Sequence, residues 1–89
     1  MPPLRGSYRA DLVGEYDEIF PLYQEQAQIL APHVDLILCE TMSSALDGKA
    51  AATAACATGK PVWVAWTLHD NKLGVLRSGE SIGEAYAAI

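Results

Sequence analysis

Two short runs hold the residues whose types and positions invite chemistry. Val34-Asp35-Leu36-Ile37-Leu38-Cys39-Glu40-Thr41 is an apolar stretch ending on an acid and a hydroxyl, and Val62-Trp63-Val64-Ala65-Trp66-Thr67 runs on into Leu68-His69-Asp70. A carboxylate at the end of a buried run needs a hydrogen-bonding partner or a ligand cation, because an unpaired charge leaves water at high cost. Thr41 and Thr67 would add hydroxyls, and His69 with Asp70 would add an acid–base pair, although His69 stands alone apart from Asp70. The plain alternative is that strand ends are polar where they meet solvent. No nucleophile elbow, phosphate loop or dinucleotide fingerprint occurs in the chain.

The remaining reactive side chains read as structural. Cys39 and Cys56 are the two cysteines; their spacing is not that of a metal site, and two thiols do not make a disulfide framework, so both read as reduced and buried. His33 falls in a helix–strand joint, at the opposite end of the strand from Glu40. Trp63 and Trp66 point to opposite faces of their strand, and at least one belongs to the core.

These residues must be positioned by a small set of elements. Pro2 to Arg9 is irregular, and Asp11 to Tyr16 could begin a helix. Asp17 to Ala31 predicts an amphipathic helix, with Ile19, Leu22, Tyr23, Gln26, Ile29 and Leu30 at three- and four-residue steps. Pro21 fits its first turn, which puts the start near Asp17 or Glu18, and Pro32 closes it. VDLILC is too short for a helix and apolar on both alternating sets, the pattern of a strand buried on both faces in a parallel sheet. Ser43 or Ser44 caps a helix over Ala45 to Thr58, with Gly59 as its stop and Gly48 costing it about 1 kcal/mol against alanine. Val62 to Thr67 forms a second strand. A polar loop with a turn candidate at Asn71 to Gly74 follows, and Ser81 with Glu84 reads as a capping box opening a final helix to Ile89.

Strand, helix, strand with short joints is a right-handed βαβ unit, and ligands in such α/β folds gather at the carboxyl ends of the strands. Glu40-Thr41 and Thr67-Leu68-His69-Asp70 share that end. Two buried parallel strands cannot cover their own edges, so the chain reads as part of a larger α/β protein. Composition agrees with a globular unit of at most one domain: 89 residues, 51% hydrophobic and 19% charged. With 6 basic against 11 acidic residues and a net charge of −5, the chain has no basic patch for nucleic acid or anionic membrane. No apolar stretch is long enough to span a bilayer and the first residues lack a signal-peptide core, which leads to a cytoplasmic expectation.

The segments PPLRGSYRADLVGEY, LAPHVDLILCETMSS and GKPVWVAWTLHDNKLGVLRSGESIGEA, in that order and spacing, resemble the middle of a homocysteine S-methyltransferase domain. The resemblance covers essentially all of residues 1–89, which on this basis form a partial homocysteine-binding domain. It implies an α/β fold that is a partial (β/α)8 TIM barrel, with VDLILCE as its fourth strand, VWVAWT as its fifth, PPLRGSY after its third, and further strands on either side. The implied activity is methyl transfer from an activated donor to the thiolate of homocysteine, giving methionine. The implied partners are homocysteine and a methyl donor, with the remainder of the barrel needed to close the fold.

The family's cofactor is a zinc ion held by cysteines at the ends of its sixth and eighth strands. The resemblance places no zinc ligand in this chain and assigns neither Cys39 nor Cys56 to metal. By the same resemblance Glu40 is the acid that holds the amino group of homocysteine, a charge-assisted bond. Thr41, Thr67 and Tyr8 would stand near the same pocket, with no catalytic residue in the chain and no activity expected of the chain alone. Two rivals remain: another TIM-barrel enzyme of lyase or aldolase type sharing only the architecture, and a non-catalytic α/β interaction module.

Overall fold

The computed structural model describes residues 1–4 and 9–89. Its elements follow the order helix, strand, helix, strand, helix: α1 (Tyr16–Leu30), β1 (Ile37–Met42), α2 (Ala45–Cys56), β2 (Val62–Trp66) and α3 (Ile82–Ala87). Single 3-10 turns at Ala10–Leu12 and Ala31–His33 precede and follow α1. β1 and β2 pair in parallel, Ile37 opposite Val62, Leu38 opposite Trp63 and Cys39 opposite Val64. The fold is thus α/β with a two-stranded parallel sheet.

α1 begins one residue before the expected start, so Pro21 is the sixth helical residue and lies in the second turn. The helix keeps it because Pro21 is exposed and the packed stripe is Ile19, Tyr23 and Ala27 at steps of four. That stripe is narrower than the periodicity suggests: Leu22 is 43% exposed and Ile29 63%. Tyr16 stacks on Phe20 with ring centroids 5.4 Å apart, and the Lys49 ammonium lies 5.8 Å from the Tyr16 ring centre, which ties α1 to α2.

α2 is mostly alanine, and this lets it sit close to everything around it. Ala45, Ala50, Ala51, Ala52, Ala54 and Ala55 are all buried. Ser44 is the cap, its hydroxyl accepting the Asp47 amide at 3.0 Å. The helix stops at Cys56 rather than Thr58, and Gly59 completes the turn with φ +81°, where glycine alone is unstrained. Gly48 has a purpose that helix propensity hides. A β-carbon there would stand 2.5 Å from Trp66 Nε1 and 2.9 Å from its Cε2. The indole lies directly on the helix backbone and donates its N–H to the Ser44 carbonyl at 3.2 Å.

α1 and α2 cover one face of the sheet, forming a core of Ile19, Tyr23, Ala27, Ile37, Cys39, Met42 and the α2 alanines. The other face is open: Leu38 is 37% exposed and Trp63 63%, with Glu40 and Ala65 exposed beside them. Burial on both faces, expected from the sequence, is therefore not what this chain achieves, because its helices supply cover on one side. β1 also starts at Ile37 rather than Val34. The ladder with β2 sets its extent, the Ile37 amide donating to the Pro61 carbonyl at 2.9 Å. Of the two tryptophans, Trp66 is the one packed into the core.

The free edge of β1 is not bare. The Met1 ammonium donates to the Leu38 carbonyl at 2.6 Å, and the Glu40 amide donates to the Met1 carbonyl at 3.1 Å. Bonds from one residue to both neighbours of Cys39 are the pattern of a parallel ladder. After β2, the loop folds back on itself through antiparallel bridges Leu68–Leu76 and Val75–Ser81. It buries Leu76 against Ala45 and Ala85. Ser81 caps α3, its hydroxyl accepting the Glu84 amide at 3.1 Å.

Candidate functional site

The carboxyl end of β1 is irregular in a way that decides where its side chains go. Between the pairs Cys39–Val64 and Met42–Trp66, β1 has two residues, Glu40 and Thr41, where β2 has only Ala65. This is a β-bulge, a device that re-aims side chains and is over-represented next to active sites. Thr41 makes it with φ +60°, the one non-glycine residue with positive φ among those described. For a β-branched residue that conformation costs about 1–3 kcal/mol. Strict alternation would send Glu40 to the open face and Thr41 into the core. With the bulge, Glu40 is exposed, Thr41 half-exposed, and Met42 takes the buried position.

Thr67 joins them across the sheet. Its amide donates to the Met42 carbonyl at 2.8 Å and its carbonyl accepts the Arg77 amide at 2.9 Å. Glu40, Thr41 and Thr67 therefore share the carboxyl end of the two strands, as the sequence suggests. Tyr8 lies outside the described residues. His33 is exposed at the far, amino-terminal end.

His69 goes elsewhere. It lines a surface cleft of about 450 Å³ together with Arg9, Asp11, Asp70, Asn71 and Arg77, which includes neither Glu40 nor the two threonines. Its Nδ1 accepts the Asn71 amide at 3.0 Å. Ion pairs organise the cleft, Arg9 to Asp11 at 2.7 Å and Arg77 to Asp70 at 2.6 Å. The bonds from Arg77 and Arg9 hold the Asp70 and Asp11 carboxyls below their ordinary pKa values.

Beneath the bulge is a buried pair that sequence reasoning missed. Asp47, 3% exposed, accepts the Tyr23 hydroxyl at 2.5 Å, and that hydroxyl also lies 3.8 Å from Met42 Sδ. Burial pushes the Asp47 carboxyl up, against the hydrogen bond from Tyr23 and the nearby Ser43 amide. Burial, then the Asp47 carboxylate, pushes Tyr23 up as well. Among the described residues, buried Asp47 Oδ2 and Ser43 Oγ have no hydrogen-bond partner. The available signal was slight: an acid in the first turn of a capped helix reads as a favourable dipole contact. Glu80 was also missed. Its Oε1 accepts the Ala45 amide at 2.9 Å and the Ser78 hydroxyl at 2.7 Å, and the Ser78 amide donates to the Ser43 carbonyl at 3.0 Å. The loop after β2 thus clasps the turn between β1 and α2.

The donor set does not fit a zinc ion. Among the described residues no three of His, Cys, Asp and Glu come together in a group suited to a metal. Cys39 is fully buried, and desolvation pushes its thiol up to about 11, away from the thiolate that a metal requires. Cys56 is exposed near the end of α2, so the expectation that both thiols are buried holds for Cys39 alone.

The parallel βαβ unit makes this an α/β protein, a class whose ligands commonly gather beyond the carboxyl ends of the strands. The comparison with protein families makes this specific. The sequence model of homocysteine S-methyltransferase matches residues 2–89, and the chain belongs to that family. Neither the curated proteins nor the solved structures compared with the chain gave a match. Among the described residues, no helix is long and apolar enough to cross a membrane.

Proposed function

We propose that the chain forms the homocysteine-binding portion of a (β/α)8 methyltransferase barrel, with β1 and β2 as neighbouring staves. Residues 1–89 are on this reading part of one domain. The single observation that carries it is the bulge, which sets exposed Glu40 beside half-exposed Thr41 at the carboxyl end of the sheet, Glu40 on its uncovered side. In a barrel with its helices outside, that face is the interior and that end is the mouth. The parallel bonds of Met1 to the outer edge of β1 agree with a further stave there.

Glu40 pairs with the ammonium group of homocysteine, and Thr41, Thr67 and Tyr8 contribute hydroxyls around the substrate. The reaction is methyl transfer: a carbon–sulfur bond forms to homocysteine as the donor's bond to the same carbon breaks, giving methionine. The resemblance puts the family's zinc ligands on other strands of the barrel, and on this reading this chain's part is to hold and orient the amino acid. A cytoplasmic site of action fits such a reaction in methionine synthesis.

The test is Glu40→Gln in the complete protein. The substitution keeps size and removes charge, and losing a charged hydrogen bond of about 1.5–3 kcal/mol raises the homocysteine KM roughly ten- to hundredfold. The methyl-donor KM should stay as it was. An unchanged homocysteine KM removes Glu40 from the pocket.

A further inference from the structure

We infer that Tyr23 and Asp47 are positioning residues whose buried hydroxyl–carboxyl contact clamps the β1 bulge and so presents Glu40 and Thr41 together at the open face. The inference deepens the reading of Glu40 as the ammonium partner and rests on it.

Thr41 occupies a backbone conformation that its own branched side chain disfavours, so something outside the bulge must hold it. Three contacts converge there. Met42, the residue after the bulge, is fully buried, with its sulfur against the Tyr23 hydroxyl. The same hydroxyl donates to Asp47 of α2 at 2.5 Å. Ser43 is 1% exposed, and its amide lies near enough to Asp47 to lower that carboxyl's pKa. One hydroxyl from α1 therefore links the end of β1 to the start of α2, on the side of the sheet opposite Glu40.

If Met42 and Ser43 are released, the cheaper course for the strand is regular alternation. Thr41 then returns to the core side and Glu40 loses its neighbour on the open face. The clamp needs an acceptor at position 47 and a hydroxyl at position 23, not a charge.

Tyr23→Phe deletes one oxygen from a well-packed ring and is the variant of choice. In the complete protein it should raise the homocysteine KM about five-fold or more, the scale of one lost hydrogen bond, with the methyl-donor KM unchanged. Asp47→Asn keeps the acceptor and should stay within about twofold of the parent, whereas Asp47→Ala should match Tyr23→Phe. A lower thermal midpoint in Tyr23→Phe with an unchanged homocysteine KM would overturn the inference, since a merely structural contact behaves that way. The functional reading is checked separately by Glu40→Gln. Should that variant bind homocysteine normally, the clamp is judged by the backbone coupling constants of Thr41. Their departure from positive-φ values in Tyr23→Phe upholds the clamp, and their persistence overturns it.

Discussion

Gly48 and Asp47 are adjacent residues of α2 with opposite lessons. In the sequence Gly48 is a weak helix former, and alanine should improve it by about 1 kcal/mol. In the structure the same alanine drives its β-carbon into the Trp66 indole, 2.5 Å from Nε1. Overpacking of this kind costs about 1–3 kcal/mol. Gly48→Ala should therefore lower stability by up to about 2 kcal/mol, read as an earlier urea midpoint with a changed Trp66 fluorescence. A stabilised variant would show that the indole moves away freely.

Asp47 gives a pH prediction with a definite sign. Its carboxyl is raised by burial, so the folded state holds the proton more tightly than the unfolded state does. Stability from this residue is full below the unfolded value and is lost as pH rises through the folded one. The titratable groups that sense its charge are Tyr23 and Cys39, both themselves raised, Cys39 to about 11, so neither titrates in the acid range. Asp47→Asn should be more stable than the parent at neutral pH, with the difference closing as pH falls toward that of an ordinary carboxyl. A difference that widens on acidification would refute the assignment.

At the level of elements, most of the fold was legible and the site only partly so. Periodicity and caps give α1, α2 and α3 to within two residues at most ends, and Ser44 and Ser81 cap as their types imply. The limits of β1 were not legible, because a strand ends where its partner ends and Ile37 faces Val62. The bulge escaped for the same reason. One extra residue is a property of two paired strands, and in the sequence Glu40-Thr41 is only a polar end. The resemblance marked Glu40, while Glu80 passed unnoticed because its contact with Ala45 spans 35 residues.

That contact can be tested at its own scale. Glu80 accepts an orphan amide of the α2 N-terminus, as a capping side chain does. Glu80→Ala should cost about 0.5–2 kcal/mol in chemical denaturation, the range for losing a cap. It should also raise hydrogen exchange at the Ala45 and Ser78 amides, the first losing its acceptor and the second the clasp around it. Protection unchanged at both would mean that the loop is held by Leu76 packing alone.

The whole molecule has one finished side and one unfinished side. Its helices and alanines close a core, yet the opposite sheet face carries Leu38 and Trp63 in the open, Trp63 at 63% exposure, and among the described residues no further strand pairs with the outer edge of β2. A flat apolar face next to unpaired strand groups is a template for association. The net charge of −5 opposes it only weakly at physiological salt, where charges about 8 Å apart are already screened. The isolated chain should therefore self-associate as its concentration rises, seen in sedimentation velocity as a growing fast boundary. Trp63→Lys puts a charge at the centre of that face without touching the helix-side core, and should shift the chain toward monomer. On the proposed barrel reading, further strands would pair with the sheet edges and their inward side chains would cover this face, acting in the same direction. A single monomer boundary for the parent chain across a hundredfold range of concentration would show that the exposed face is tolerated, and would take away the physical reason for expecting further strands beside β1 and β2.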